Sequence, residues 1–300
     1  MAYGDPMILT TQDLLENGPL EIWSNTAVPA DGWNNWTGTT GLMPTFSRQA
    51  GTRTLGAGAY FQRCTCTTPV GGRLEYYQRL SLLGSGALPA RGHLAVTFTL
   101  KFWARQSSGT ATITVQPTII ERNDVTELAL SRATAQTLTG NWTQYSHSRA
   151  LSESGTTELE LTTYFICTVV GNGNATIDID DFELTVTYTF VRNPAIPDDQ
   201  TIIVPFRKML RSLGGSLLRA RPGVPALAKH EKRLVFAMVA RTQYEKFRSL
   251  WFLDSPLVWT PNHPHLPTTL IVRWTNDFDF RLLRTLSPEF YQGNMMLTEV

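Results

Sequence analysis

LAVTFTLKFWAR, residues 94–105, decides the fold. Val96, Phe98, Leu100 and Phe102 alternate with Thr97, Thr99 and Lys101, so an extended chain here has one apolar face and one polar face. Working outward, ATITVQPTII (111–120), LELTTYFICTVV (159–170) and ATIDIDDFELTVTYTF (175–190) read as further strands. TGNWTQYSHS (139–148) reads as a shorter strand after a turn. SSG, LTGN and GNGN punctuate them, and this density of strands and turns predicts a β-sandwich over residues 13–190.

Three hundred residues suit two modest domains. Charged residues make up only 17%, as in β-rich proteins whose surfaces are polar rather than ionic. The net charge of +1 hides an asymmetry. Residues 1–190 carry 11 Lys and Arg against 16 Asp and Glu, whereas residues 191–300 carry 15 against 9. The arginines of the basic part are scattered, which favours pairing between subunits over specific nucleic-acid binding. Cys64, Cys66 and Cys167 are too few for a disulfide framework or a structural zinc site, and buried thiols are expected. No apolar run reaches membrane-spanning length and MAYGDPMILT lacks a signal-peptide pattern, so no membrane insertion is expected.

Residues 1–12 read as an extended arm, and VRNPAIPDDQ (191–200) as a linker. Beyond it, TIIVPF, EKRLVFAMVAR (231–241), TTLIVRWTNDFDFRLL (268–283) and QGNMMLTEV (292–300) are strands. Between them RTQYEKFRSLWFLDSPLVWTP (241–261) holds a single helix. Thr242 and Glu245 form a capping box, and Tyr244, Phe247, Leu250 and Trp251 make one face apolar. The expected unit, 201–300, is a small sheet or barrel plugged by one helix, with edges that invite association.

This second domain resembles the tail-tube fold of phage distal-tail and minor tail proteins. The resemblance rests on element order and on Phe247, Leu250, Trp251, Trp259, Thr260, Pro261, Trp274 and Glu299, and it covers about a third of the chain. It implies a virion protein of the phage tail, assembled in the host cytoplasm as a ring, a hexamer, between tail tube and tail hub. Phe247, Trp251, Trp259 and Trp274, with Arg207 and Arg211 of the basic stretch 206–221, are the interface residues it implies.

The first domain resembles jelly-roll carbohydrate-binding modules over about 170 residues. ENGPLEIW (16–23), DGWNNW (31–36), YYQRLSL (76–82), TFTLKFWARQSSG (97–109), NWTQYS (141–146) and IDIDDFEL (177–184) match the modules' segments in order. The resemblance implies a structural calcium ion between Glu21 and Asp180, although Pro19 and Leu20 depart from the usual opening.

Trp23, Trp33, Trp36, Tyr60 and Tyr76, with Tyr77, are the candidates for stacking on a host glycan, while Trp103 and Trp142 are expected in the core. Asp178 and Asp180 share a strand face, yet nothing marks the second carboxylate that glycoside hydrolysis needs across a cleft. His263 and His265, in the stretch NHPH, lack a third metal ligand, and His147 lacks a nucleophile elbow, so no enzyme is expected. The expected function is a tail-tip structural protein displaying an outward glycan-binding domain. The alternative is a lectin without a ring role.

Overall fold

The computed structural model describes residues 7–15, 17–37, 43–51, 58–67, 72–81, 96–153, 155–169, 174–190, 202–205, 209–211, 217–219, 228–253, 255–260, 269–284 and 289–300. The linker 191–200, Arg207, Pro261, His263 and His265 lie outside them, as does the side chain of Arg211. Along the chain run β1 (Met7–Thr11), β2 (Asn34–Thr37), β3 (Met43–Ala50), β4 (Tyr60–Thr67), β5 (Arg73–Ser81), β6 (Thr97–Gly109) and β7 (Thr112–Asn123). Next come β8 (Thr126–Arg132), β9 (Gln136–Thr137), β10 (Thr143–Ala150), β11 (Glu158–Val169) and β12 (Asn174–Phe190). The rest are β13 (Ile202–Pro205), β14 (Met209–Arg211), β15 (Leu217–Arg219), β16 (Ala228–Ala240), α1 (Arg241–Leu253), β17 (Leu257–Trp259), β18 (Leu270–Trp274), β19 (Asp279–Arg284) and β20 (Phe290–Glu299). The protein is mainly β and its sheets are antiparallel. Among the described residues no helix is long and apolar enough to cross a membrane.

Two compact units emerge: Asp13–Thr187, and Met1–Gln12 together with Tyr188–Val300. The first is a β-sandwich. One sheet runs β10-β6-β12-β4-β3 and the other β2-β5-β11-β7-β8, with β9 beside β7. The alternation read in 94–105 puts Phe98, Leu100, Phe102 and Ala104 inward and leaves Thr97, Thr99, Lys101 and Trp103 between them half-buried. Between the sheets Phe182 stacks on Phe102 at 4.8 Å and meets Trp33 at 4.1 Å, and Trp33 stacks on Tyr76 at 5.0 Å. Cys64, Cys66 and Cys167 are buried free thiols. Trp103 and Trp142 correct the expectation for them. Both are half-buried, and Trp103 alternates with the inward Phe102 and Ala104, so it faces away from the core.

The opening loop is organised by Asn17. Its side-chain oxygen accepts from the backbone N–H of Glu21 (2.9 Å) and Ile22 (3.0 Å), and its amide donates to the carbonyls of Ile22 and Asp31. Asn17 has φ 52°, the left-handed region in which an Asn side chain can bond its local backbone.

In the second unit β1 pairs with β17, Leu9 opposite Trp259, so residues 7–11 are a strand of this unit's sheet. The order is β1-β17-β18-β20-β16-β13, with β19 on β20 and a separate β14–β15 pair. The helix starts at Arg241, so Thr242 lies inside its first turn rather than at the cap. Two expected strands are interrupted. Between Phe236 and Val239 the register on β20 shifts, and the inward residue passes from Phe236 to Val239 because a bulge inverts the alternation. TTLIVRWTNDFDFRLL is two strands: five positions from Trp274 to Asp279 face three from Leu297 to Asn294. Asn276 fills the break, its Oδ1 accepting from Met296 N–H at 2.6 Å and its amide donating to Asn294. Gly293 is required beside it, because a Cβ there would lie 2.4 Å from the Phe280 ring and 2.5 Å from the Asp279 carbonyl oxygen.

Candidate functional site

Sequence reasoning pointed to an aromatic surface, and the structure divides its members. Trp33 and Tyr76 are core residues, 5% and 0% exposed, and their stacked faces are covered by each other and by Phe182. A sugar cannot reach them, which corrects their assignment as glycan contacts. Trp23 is half-buried and donates its indole N–H to the Leu20 carbonyl at 2.7 Å, anchoring the loop. Tyr60 is half-buried with Arg48 over its ring at 4.4 Å. Trp36 remains, 47% exposed on the edge strand β2.

Trp36 is the end of a row that the sequence did not reveal. On β5, Leu74, Tyr76 and Gln78 are buried toward the sandwich, so Arg73, Glu75, Tyr77 and Arg79 point outward. Register then places Trp36 opposite Glu75, Glu75 opposite Tyr164 of β11, and Tyr164 opposite Gln116 of β7. Across these strands the Arg73 guanidinium lies 5.3 Å from the Trp36 ring and 4.8 Å from Tyr164, and Arg132 of β8 covers Tyr164 at 5.2 Å. Aromatic and cationic groups thus alternate across the outward face of one sheet, each ring holding a guanidinium by its quadrupole.

Below them is a polar floor. Thr118 and Thr162, register partners on the outward face, are fully buried although among the described residues no second sheet covers that face. The longer side chains around them cover this floor. Glu160 binds two arginines here: Arg79 Nε donates at 2.8 Å, and Arg122 Nη2 donates at 3.3 Å. Thr162 Oγ1 donates to the same carboxylate. Arg73 pairs with Glu75. Burial raises the Glu75 pKa above the ordinary carboxylate value despite Arg73, and burial followed by the charge of Glu75 raises that of the Tyr164 phenol. An outward Arg-x-Glu-x-Tyr-x-Arg alternation in β5, and a tyrosine two residues after a threonine in β11, are the signals that mark this face in the sequence.

The opposite sheet carries a closed polar cluster. Both Asp178 oxygens are committed to guanidiniums, to Arg63 at 2.7 and 3.0 Å and to Arg105 at 2.9 Å, and Arg105 in turn lies 4.8 Å over Trp142. That geometry pins strands β4, β12 and β6 together and presents no free carboxylate for acid–base work.

The calcium ligands implied by the module resemblance each accept a backbone hydrogen bond. Glu21 Oε1 accepts the Tyr60 N–H at 3.1 Å and Asp180 Oδ1 accepts the Asp181 N–H at 2.9 Å. Among the described residues no group of three or more carboxylate, histidine or cysteine side chains is placed to hold a metal.

The interface residues implied for the second unit are mostly internal. Phe247 is 1% exposed, stacked on Phe190 at 4.1 Å and Phe280 at 4.8 Å. Trp259 and Trp274 are also buried, and Trp251 is half-buried with its indole N–H on the Asn276 carbonyl. Buried rings cannot meet a neighbouring subunit, so Phe247, Trp259 and Trp274 are corrected to core residues. Among the described residues this unit exposes Ile8, Ile271 and Val300, and separately Leu282 and Leu283 of β19. Val258 is paired with Ile271, and Val300 N–H donates to the Ile271 carbonyl.

The chain is thus a two-unit β protein whose first unit is a β-sandwich with a polar–aromatic outward face. No protein-family model and no curated protein matches it. Solved structures resemble it at low identity. The enzymatically active domain of bacteriophage CBA120 tailspike protein 4 is 14% identical at TM-score 0.41, the match covering 57% of this chain and 21% of that one. TmCBM61, solved in complex with β-1,4-galactotriose, is 14% identical at TM-score 0.36, covering 57% of this chain and 97% of that one. The Stig cyclase Fisc from Fischerella sp. TAU is 13% identical at TM-score 0.44, covering 59% and 98%.

Proposed function

We propose that this chain is a non-catalytic structural protein of a phage tail tip, whose sandwich unit binds host-surface glycan on the outward face of the β2-β5-β11-β7-β8 sheet. The observation that carries the glycan reading is the row Trp36–Arg73–Tyr164–Arg132 above its buried threonine floor. An exposed indole supplies the flat apolar surface on which a sugar ring stacks, and fixed guanidiniums, carboxylates and hydroxyls beside it match a sugar's hydroxyls. A face whose side chains are held by ion pairs is already ordered, so little entropy is lost when a ligand binds.

The second unit serves in this reading as the attachment platform, forming a ring of copies between tail tube and hub. Its support is the element order read in the sequence and the exposed apolar patch of Ile8, Ile271 and Val300. The contrast between an acidic first part and a basic last part of the chain supplies complementary charge between copies. Ile271→Glu is expected to lower the self-association seen by sedimentation velocity without moving the melting temperature. A chain that is monomeric at every concentration removes the ring and leaves a lectin.

Trp36→Ala is the test of the glycan site. It removes the exposed indole on which the sugar ring would stack and is expected to cost about tenfold or more in binding on a glycan array, with the fold unchanged because the indole is surface-borne. Full binding by that variant, or silence of the unaltered protein on a broad array, defeats the reading.

A further inference from the structure

We propose that the glycan taken by this face is anionic, with Arg132 the group that receives its carboxylate or sulfate. The inference rests on the glycan-binding reading and names the class of sugar. Four guanidiniums share the face, those of Arg73, Arg79, Arg122 and Arg132, and they are not equivalent. Arg79 and Arg122 are both turned onto Glu160, and Arg73 onto Glu75, so three of the four are held by carboxylates of the same face. Arg132 differs. Among the described residues it has no carboxylate within 4 Å, Glu75 acting on it only from farther off, and its side chain is exposed with the guanidinium 5.2 Å from the Tyr164 ring.

Tyr164 therefore holds the Arg132 guanidinium without spending its donors, because a ring quadrupole contacts only the face of the fork. The fork is held in place with most of its N–H groups unspent, the arrangement that receives a planar oxyanion in bidentate fashion. Directly across the strand pair lies Thr118, and the opposite end of the row is the exposed Trp36. A saccharide lying along the row can therefore place a ring on the indole and an anionic substituent on Arg132.

Matched pairs of sugars test this with the full chain. On one array, oligogalacturonate is compared with its methyl ester, and sulfated galactan oligosaccharides with unsulfated ones; the pairs separate carboxylate from sulfate as the anion. The acidic member of at least one pair is expected to bind about tenfold or more tightly, and that preference to weaken as salt is raised. Arg132→Gln should abolish the preference while leaving weak binding of the neutral member, and Arg132→Lys should restore part of it, since a point charge replaces the fork. Equal binding of acid and ester overturns the anion and leaves the glycan site standing. Preference that persists in Arg132→Gln overturns the assignment to this residue. No binding of any sugar by the unaltered chain overturns both. Should Arg132→Gln fail to fold, the acid–ester comparison and its salt dependence on the unaltered chain still decide.

Discussion

Replacing Glu121 with alanine is expected to destabilise the sandwich unit by about 3 kcal/mol, the lower end of what breaking a buried ion pair costs. Glu121 is fully buried at the end of β7. Its carboxylate accepts from Arg149 Nε (2.9 Å) and Nη2 (2.7 Å), from the backbone N–H of Ser152 (3.1 Å) and Glu153 (2.9 Å), and from Thr156 Oγ1 (3.2 Å). The residue thus ties β7 to β10 and to the turn that follows it. Removing it leaves two part-buried backbone donors without their acceptor; these and Arg149, 22% exposed, can partly return to water, which keeps the loss near the lower end.

The same site gives a pH signature. Burial pushes the Glu121 pKa up, but the Glu153 N–H, the Arg149 guanidinium and the Ser152 N–H outweigh it and hold the group below its ordinary 4.5. A group with a depressed folded-state pKa stabilises fully above its unfolded value and loses that contribution as pH falls through the folded value. The gap in urea midpoint between wild type and Glu121→Gln should therefore be full at neutral pH and shrink below about 4.5. A gap independent of pH, or no gap at pH 7, contradicts this account.

Phe247→Ala is the second large effect, at about 3–5 kcal/mol on the second unit, the usual cost of emptying a buried phenylalanine site. The ring lies between Phe190 and Phe280, with Phe236 at 4.5 Å and Trp274 edge-on at 6.3 Å, so its loss opens a cavity under the helix. Unfolding of this unit should appear in tryptophan emission, since Trp251, Trp259 and Trp274 belong to it. The result also discriminates between two roles for the residue. A core ring lowers the unfolding midpoint, whereas an interface ring weakens self-association with the midpoint unmoved. The second outcome would restore Phe247 to a subunit interface.

The fold was largely legible because its strands carry their own alternation. Residues 94–105 gave inward Phe98, Leu100 and Phe102 without any knowledge of what they pack on. The single helix was legible from the spacing of Tyr244, Phe247 and Leu250, whose last two members are buried. The errors arose where a residue's role depends on a distant partner. Trp33 and Trp36 are three apart in one segment, yet one is in the core and the other faces solvent, because Trp33 precedes β2 and stacks on Tyr76 and Phe182, while the pairing of β2 with β5 sets Trp36 outward. Trp259 and Trp274 read equally well as interface or core until α1 and the sheet are seen to cover them.

The sequence by itself determined the class of the protein: a chain of alternating strands with one amphipathic helix near its basic end, since periodicity is a local property of neighbouring residues. Tertiary structure alone decided the site. Trp36, Arg73, Tyr164 and Arg132 come from four strands spread over more than a hundred residues, and only antiparallel register brings them into one row. It also decided that residues 7–11 are a strand of the second unit, because Leu9 has no partner nearer than Trp259 in that ladder. The physical reason is the same in both cases: hydrogen-bonded pairing between strands is set by the whole sheet and leaves no mark in the short stretches that it joins.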